Sequence, residues 1–164
     1  MGTTAVRAVP AAQNGRRKPV RRIYVAGPWR KKALIATYED DLRRAGFEVT
    51  SQWTEEPDGP HYGLGLVSDR DALTAALRDV EGVAAADLVV CVSNDGQVDP
   101  GGGRHFECGL AYGQAKRLAF VGWPETIFQT LPEFARFDLW RECLAWIRDG
   151  APGMEDDDGL ADAR

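Results

Sequence analysis

Residues 88–115 read Leu88-Val89-Val90-Cys91-Val92-Ser93-Asn94-Asp95-Gly96-Gln97-Val98-Asp99-Pro100-Gly101-Gly102-Gly103-Arg104-His105-Phe106-Glu107-Cys108-Gly109-Leu110-Ala111-Tyr112-Gly113-Gln114-Ala115. The unbroken apolar run at the start is the pattern of a strand buried on both faces. The glycine-bearing loop after it frees backbone N–H groups, and the segment from Arg104 has helix-forming composition. Strand, glycine-rich loop and helix start together form a small-molecule site, because a helix start carries partial positive charge. Glu107 stands within the first turn of the expected helix. There it is either a reagent, an ionised carboxylate able to act as a nucleophile, or a cap, since glutamate is common in the first helical turn.

The same alternation extends in both directions. Arg22–Ala26 reads as a first strand, closed by Gly27-Pro28. Lys31–Ala45 reads as a helix with Leu34, Tyr38 and Leu42 on one face, and Gly46 fits its C-cap. Phe47–Ser51 alternates as a second strand. Gln52–Val67 is a long loop broken by Pro57 and Pro60; loops of that length in compact domains are usually lids or binding loops. Ser68 is an N-cap for a helix over Asp69–Ala85, with Asp71 at the capping-box position and Leu73, Leu77 and Val80 as its apolar stripe. Asp87–Val92 is the third strand, Arg104–Ala115 the next helix and Arg117–Val121 the fourth strand. Thr126–Leu131 suits one helical turn. Leu139–Arg148 suits a final helix with Trp140, Leu144 and Ile147 inward. This alternation predicts an α/β domain: a doubly wound parallel sheet of four to five strands with helices on both faces, Rossmann- or flavodoxin-like. In such sheets ligands bind outside the carboxyl ends of the strands. Three loops meet there: Gly27–Arg30, Gln52–Val67 and Ser93–Gly103.

The chain has 164 residues and a net charge of −5, which fits one domain with a real core. Residues 1–22 carry only basic charges (Arg7, Arg16, Arg17, Lys18, Arg21, Arg22), whereas 149–164 carry Asp149, Glu155, Asp156, Asp157, Asp158 and Asp162 against Arg164. The expected organisation is a disordered basic tail over 1–20, a folded domain over 21–149 and a disordered acidic tail over 150–164. The body is acidic, a poor surface for nucleic acid. No apolar run approaches the ~20 residues a membrane span needs, and none has the order of a signal peptide. Three scattered cysteines, Cys91, Cys108 and Cys143, have no metal-ligand spacing and suit a reducing, cytoplasmic setting. Neither a metal nor a cofactor is implied.

Several residues could carry chemistry. Asp79 stands late in a helix, where negative charge opposes the dipole; a carboxylate kept in a poor place suggests a task, against the alternative of a solvated face with Arg78 beside it. Asp87 suits a turn at the third strand, and Asp95 and Asp99 are loop residues open to either a turn or a ligand. Tyr24 stands in a strand with apolar neighbours on both sides, where the plain reading is core packing with a partner for its hydroxyl. Trp29 could stack on a base or cover the sheet, and Gln52 could read a base edge or stand exposed beside Trp53. Gly101–Gly103 permits close approach of backbone to ligand. It is neither a P-loop nor a dinucleotide fingerprint. His61 and His105 form no metal pattern.

Three motifs in order carry a resemblance. They are Ile23-Tyr24-Val25-Ala26-Gly27-Pro28; Asp79 followed eight residues later by Asp87 and the strand Leu88-Val89-Val90; and Gly103-Arg104-His105-Phe106-Glu107-Cys108-Gly109-Leu110-Ala111-Tyr112 leading to Lys116. Over 23–140 the chain resembles the nucleoside 2-deoxyribosyltransferase-like superfamily. The resemblance implies that Glu107 attacks the anomeric carbon of a deoxynucleoside, forming a glycosyl ester that a second base, or water, resolves. It implies that Asp79 protonates or hydrogen-bonds the leaving base and that Tyr24 positions the nucleophile. Substrate contacts would come from Gly27, Pro28, Trp29, Gln52, Asp99, Gly101, Gly103 and Arg104. Asp99 is the nearest counterpart of the loop acid that transferases apply to sugar hydroxyls. In related hydrolases of 5′-monophosphates small loop residues and an arginine bind phosphate, and Arg104, the glycine run and Arg30-Lys31-Lys32 could do so here.

The expected activity is therefore transfer of a deoxyribosyl group between bases. Hydrolysis of a deoxynucleoside 5′-monophosphate and a non-catalytic nucleotide-binding module are its rivals. The expected partners are a nucleoside or nucleotide, a free base and further copies of the chain, as a homodimer or larger homo-oligomer built on the aromatic segment Phe128–Trp140.

Overall fold

The computed structural model describes residues 18–56, 68–96 and 102–152. β1 (Arg22–Ala26) pairs in parallel with β2 (Glu48–Val49) on one side and β3 (Leu88–Val92) on the other. β4 (Arg117–Val121) and β5 (Phe134–Phe137) continue the sheet in parallel, giving the order β2-β1-β3-β4-β5. That is the flavodoxin-like doubly wound order, whose switch point, the usual ligand crevice, lies between β1 and β3. α1 (Lys32–Arg44) packs with α4 (Trp140–Arg148), and α2 (Asp69–Ala85) with α3 (Gly103–Gly113), so each pair covers one face. Every residue of β3 is buried, as its unbroken apolar run requires. Cys91, Cys108 and Cys143 are free and buried. Among the described residues no helix is long and apolar enough to cross a membrane.

Local chemistry sets the element ends. Ser68 Oγ accepts from Asp71 N, the expected cap of α2. α1 ends in a Schellman motif: Phe47 N donates to Leu42 O, Gly46 N to Arg43 O, and Gly46 takes φ +90°. Lys116 Nζ donates to Ala84 O and Ala86 O and so covers the end of α2. Asp87 accepts from the N–H groups of Arg21 and Arg22 at 3.0 and 2.9 Å. Burial pushes its carboxyl up, but those N–H groups and the Arg22 guanidinium outweigh it and hold it below the usual range. The turn role expected of Asp87 is the one it has.

Three expectations need correction. α1 buries Ile35, Glu39 and Leu42 while Leu34 is exposed, and α2 buries Ala75, Gly82 and Val83 while Leu73 and Leu77 are exposed. In α1 the polar Glu39 is buried because Ser51 and Thr54 hydroxyls donate to it. In α2 small residues win because the helix lies close to the sheet: a Cβ on Gly82 would sit 2.7 Å from Thr50 O and 2.9 Å from Tyr24 Cε2. Third, Phe134–Phe137, to which the sequence reading assigns no element, is the fifth strand, and the second strand is shorter than 47–51.

α3 ends in the same motif as α1, with Lys116 N bonded to Ala111 O and Ala115 N to Tyr112 O, but its left-handed position is Ala115 at φ +54°. A Cβ in that region costs about 1 kcal/mol. Ala115→Gly is therefore expected to raise the thermal midpoint by about 3 °C, measured by circular dichroism. An unchanged or lower midpoint would show that the strain is absorbed elsewhere.

Candidate active site

The close approach of α2 at Gly82 places that helix against the ring of Tyr24, which projects from β1 to the same face. α3 packs beside α2. Tyr24, Asp79 and Glu107, from three elements, thereby converge. Tyr24 Oη donates to Glu107 Oε1 at 3.0 Å. Glu107 lies beyond the first turn of α3, whose N-cap is Gly102 and whose first turn holds no acid. It is thus a second-turn residue that bonds a tyrosine across 83 positions, and the capping alternative falls.

The electrostatics also differ from the helix-start expectation. Burial, and then the negative charge of Asp79, push the Glu107 carboxyl up to about 7, although the Tyr24 hydrogen bond works the other way. Burial pushes Asp79 up to about 6, opposed by the Arg78 guanidinium and aided by Glu56. Burial, with Glu107 and Asp79, holds Tyr24 far above the ordinary phenol value, so it stays a donor. Both carboxyls thus titrate near neutrality, well above the ordinary carboxylate range.

Arg78 and Glu56 were not legible as part of this cluster. Arg78 reads in the sequence as a solvated neighbour of Asp79, yet its Nη2 donates to Glu56 Oε1, and the same nitrogen lies 3.7 Å from Asp79 Oδ1. Asp79 Oδ1 is buried and makes no hydrogen bond. The signal was the run Arg78-Asp79 on one helix; the contact with Glu56 is not local and leaves no periodic trace.

The surrounding loops are held by buried polar groups. Gly27 lies under Ile35, whose Cδ1 would be 2.2 Å from a Cβ there. Pro28 is buried, and its carbonyl accepts from Lys31 N in the 3₁₀ turn Trp29–Lys31. Trp29 is half-buried, tilted against Trp53 at 6.1 Å, with Lys32 Nζ 4.8 Å from its ring centroid. Trp53 is buried and donates Nε1 to Val25 O at 2.9 Å, whereas Gln52 beside it is exposed. Ser51, Glu39 and Thr54 complete a buried network that ties this loop to β1.

The cations considered for phosphate have loop partners instead. Arg104 is buried and pairs with Glu125 at 2.9 Å; Glu125 also accepts from Asn94 N. Arg30 donates to Asn94 Oδ1 and O, Lys31 pairs with Asp95 at 2.6 Å, and Lys32 Nζ donates to Glu56 O. Gly102 and Gly103 have no positive φ, and a Cβ on either would meet open space, so the backbone itself does not demand glycine there. Asp99, Gly101 and His61 lie outside the described residues. Among the described residues no group of three or more His, Cys, Asp or Glu side chains could hold a metal ion.

No family model matches the chain, and no curated protein matches it. Solved structures do. A 2-deoxyribosyltransferase from Bacillus psychrosaccharolyticus superimposes with a TM-score of 0.59 at 21% identity, over 75% of this chain and 90% of that one. A conserved protein from Enterococcus faecalis V583 gives 0.55 at 18% identity, over 79% and 98%. A CMP N-glycosidase from Clostridium botulinum gives 0.47 at 19%, over 76% and 96%. The fold is therefore one that this chain shares with a deoxyribosyltransferase.

Proposed function

We propose that the chain is a nucleoside 2-deoxyribosyltransferase-like enzyme that cleaves the N-glycosidic bond of a deoxynucleoside and moves the sugar to another base. The observation that carries the reading is the Tyr24–Glu107 hydrogen bond, with Asp79 near enough for its charge to raise the Glu107 carboxyl. Tyr24 holds Glu107 Oε1, which leaves the second oxygen to attack the anomeric carbon. As the C–O bond forms, the C–N bond breaks and its electron pair leaves with the base, which takes a proton from Asp79. An incoming base nitrogen then attacks the same carbon, the ester bond breaks, and Asp79 recovers a proton. Two displacements retain the sugar configuration.

Because Arg30, Lys31, Lys32 and Arg104 are bound to loop groups, a nucleoside suits the site better than a 5′-monophosphate. Incubation with deoxynucleosides, their 5′-monophosphates and a free acceptor base, followed by chromatography, tests this. Exchanged nucleoside supports transfer; free sugar phosphate alone would replace it with hydrolysis; no cleavage would sink the reading.

The reactive microstate has Glu107 ionised and Asp79 protonated. Only the singly protonated pair contains it, so kcat/KM is expected to rise through about pH 6, peak, and fall through about pH 7. A profile flat from pH 5 to 8 would remove the paired carboxylates from the chemistry.

The oligomer belongs to the same proposal. Trp123, Ile127 and Phe128 after β4, and Phe106 on α3, are large apolar side chains left exposed. A second copy covering them would give a light-scattering mass at least twice 18.0 kDa, and Phe128→Asp should lower it. A monomeric wild-type mass would overturn this part.

A further inference from the structure

Glu56 has two anchors, and neither is in the catalytic trio. It follows the 3₁₀ turn Trp53–Glu55, which buried Trp53 and Thr54 fix to β1 and α1. Its carbonyl accepts from Lys32 Nζ on α1, and its carboxylate accepts from Arg78 Nη2 on α2. The Glu56 side chain is 9% exposed and that of Arg78 30%, so the pair is screened less than a surface bridge. One guanidinium nitrogen thus faces two carboxylates. Glu56 takes the hydrogen bond; Asp79 Oδ1, at 3.7 Å, is left with none.

We propose that Glu56 is a positioning residue that takes the Arg78 hydrogen bond and offsets its charge, so that the Asp79 carboxyl can hold a proton for the leaving base. The inference rests on the transferase reading for the base, but the clamp itself is a property of the resting protein. Without the Glu56 carboxylate, the Arg78 guanidinium beside Asp79 acts on it unopposed, and an arginine so near a carboxyl keeps the acid ionised. With Glu56 present, its negative charge offsets part of the Arg78 effect at Asp79. The described groups facing Asp79 are Arg78 on its own helix, Glu56 from the loop after β2, Glu107 from α3 and Tyr24 from β1.

The test uses the full chain labelled with carboxyl-¹³C aspartate, the Asp79 resonance being assigned by its loss in Asp79→Asn. In Glu56→Gln the Asp79 titration midpoint should fall by about 1 pH unit. In Arg78→Met, which leaves the Glu56 charge unopposed, it should rise. The peak rate of glycosidic cleavage in Glu56→Gln should drop about tenfold, because a tenth as much of the pair has its proton on Asp79. An ion pair that only fastens the loop would lower thermal stability in both variants without moving the midpoint in opposite directions, and that result overturns the proposal. If Glu56→Gln does not fold, Arg78→Met decides alone: a rise supports the clamp, no rise refutes it. Opposite midpoint movements in a protein that cleaves no nucleoside would keep the clamp and discard the transferase reading.

Discussion

Glu107→Gln is expected to lower glycosidic cleavage by about 10⁴-fold while leaving the fold intact. The amide is a poor nucleophile and cannot form the sugar ester, so only direct attack by water on the bound nucleoside remains. The structural cost is small. Burial already disfavours the charged carboxyl, which is pushed up to about 7, and the amide oxygen can still accept from the Tyr24 hydroxyl. The thermal midpoint at pH 7.5 should therefore be unchanged or higher, since no buried charge has to be maintained. Steady-state cleavage and circular dichroism check the two halves. Mass spectrometry of acid-quenched wild type with deoxynucleoside should place one deoxyribosyl group on the peptide holding Glu107, and the variant should carry none. A variant that cleaves at the wild-type rate would show that another group attacks the sugar.

What was legible of this site follows from distance along the chain. The strand, loop and helix around Glu107 are encoded locally, and so are Ser68 as a cap and Gly46 as a helix end. The ordinal position of Glu107 within α3 was less so: the loop supplies Gly102 and Gly103 as cap and first residue, which moves Glu107 out of the first turn and from a stabilised charge to a penalised one. Leu73 and Leu77 have the periodicity of a buried stripe, yet the buried face of α2 is set by how near a helix must come to Tyr24. That requirement appears in the sequence only as a single glycine, Gly82. The burial of Glu39 leaves no trace in the sequence, because a buried acid is recognisable only with its hydroxyl partners, Ser51 and Thr54, in place. The Glu56–Arg78 contact joins a loop to a helix, with neither alternation nor helical spacing to announce it.

Charge placement shows the same limit. The basic run Arg30-Lys31-Lys32 looks from sequence like an anion site, but Asn94, Asp95 and the Glu56 carbonyl take all three. Those bonds tie the loops after β1, β2 and β3 together beside the switch point. The cations thereby stiffen the mouth of the crevice. A crevice built to hold acids close together needs such bracing, since the charge of Asp79 that raises the Glu107 carboxyl also tends to push α2 and α3 apart.

Asp79→Asn is expected to lower cleavage of ordinary deoxynucleosides by about 10³-fold and to remove one side of the pH profile. The asparagine cannot give a proton, so the fall in rate above about pH 7, where the pair loses its last proton, should vanish. The remaining limb is the ionisation of Glu107. With the negative charge of Asp79 gone, one of the causes raising that carboxyl disappears, so the limb should move below about 7. Activity then climbs to a plateau at a lower pH than the wild-type basic limb. The size of the loss should depend on the leaving group: a base that already carries a positive charge, such as an N7-methylated purine, departs without a proton and should lose far less than tenfold. Two simple alternatives make opposite predictions. If Asp79 only hydrogen-bonds the base in the ground state, KM rises, kcat holds, and charged and neutral bases suffer alike. If Asp79 only keeps Glu107 protonated until substrate arrives, its removal raises the rate at low pH for every base. A selective loss on neutral bases, together with a plateau at high pH, is the pattern that only a proton passed from Asp79 to the leaving nitrogen produces.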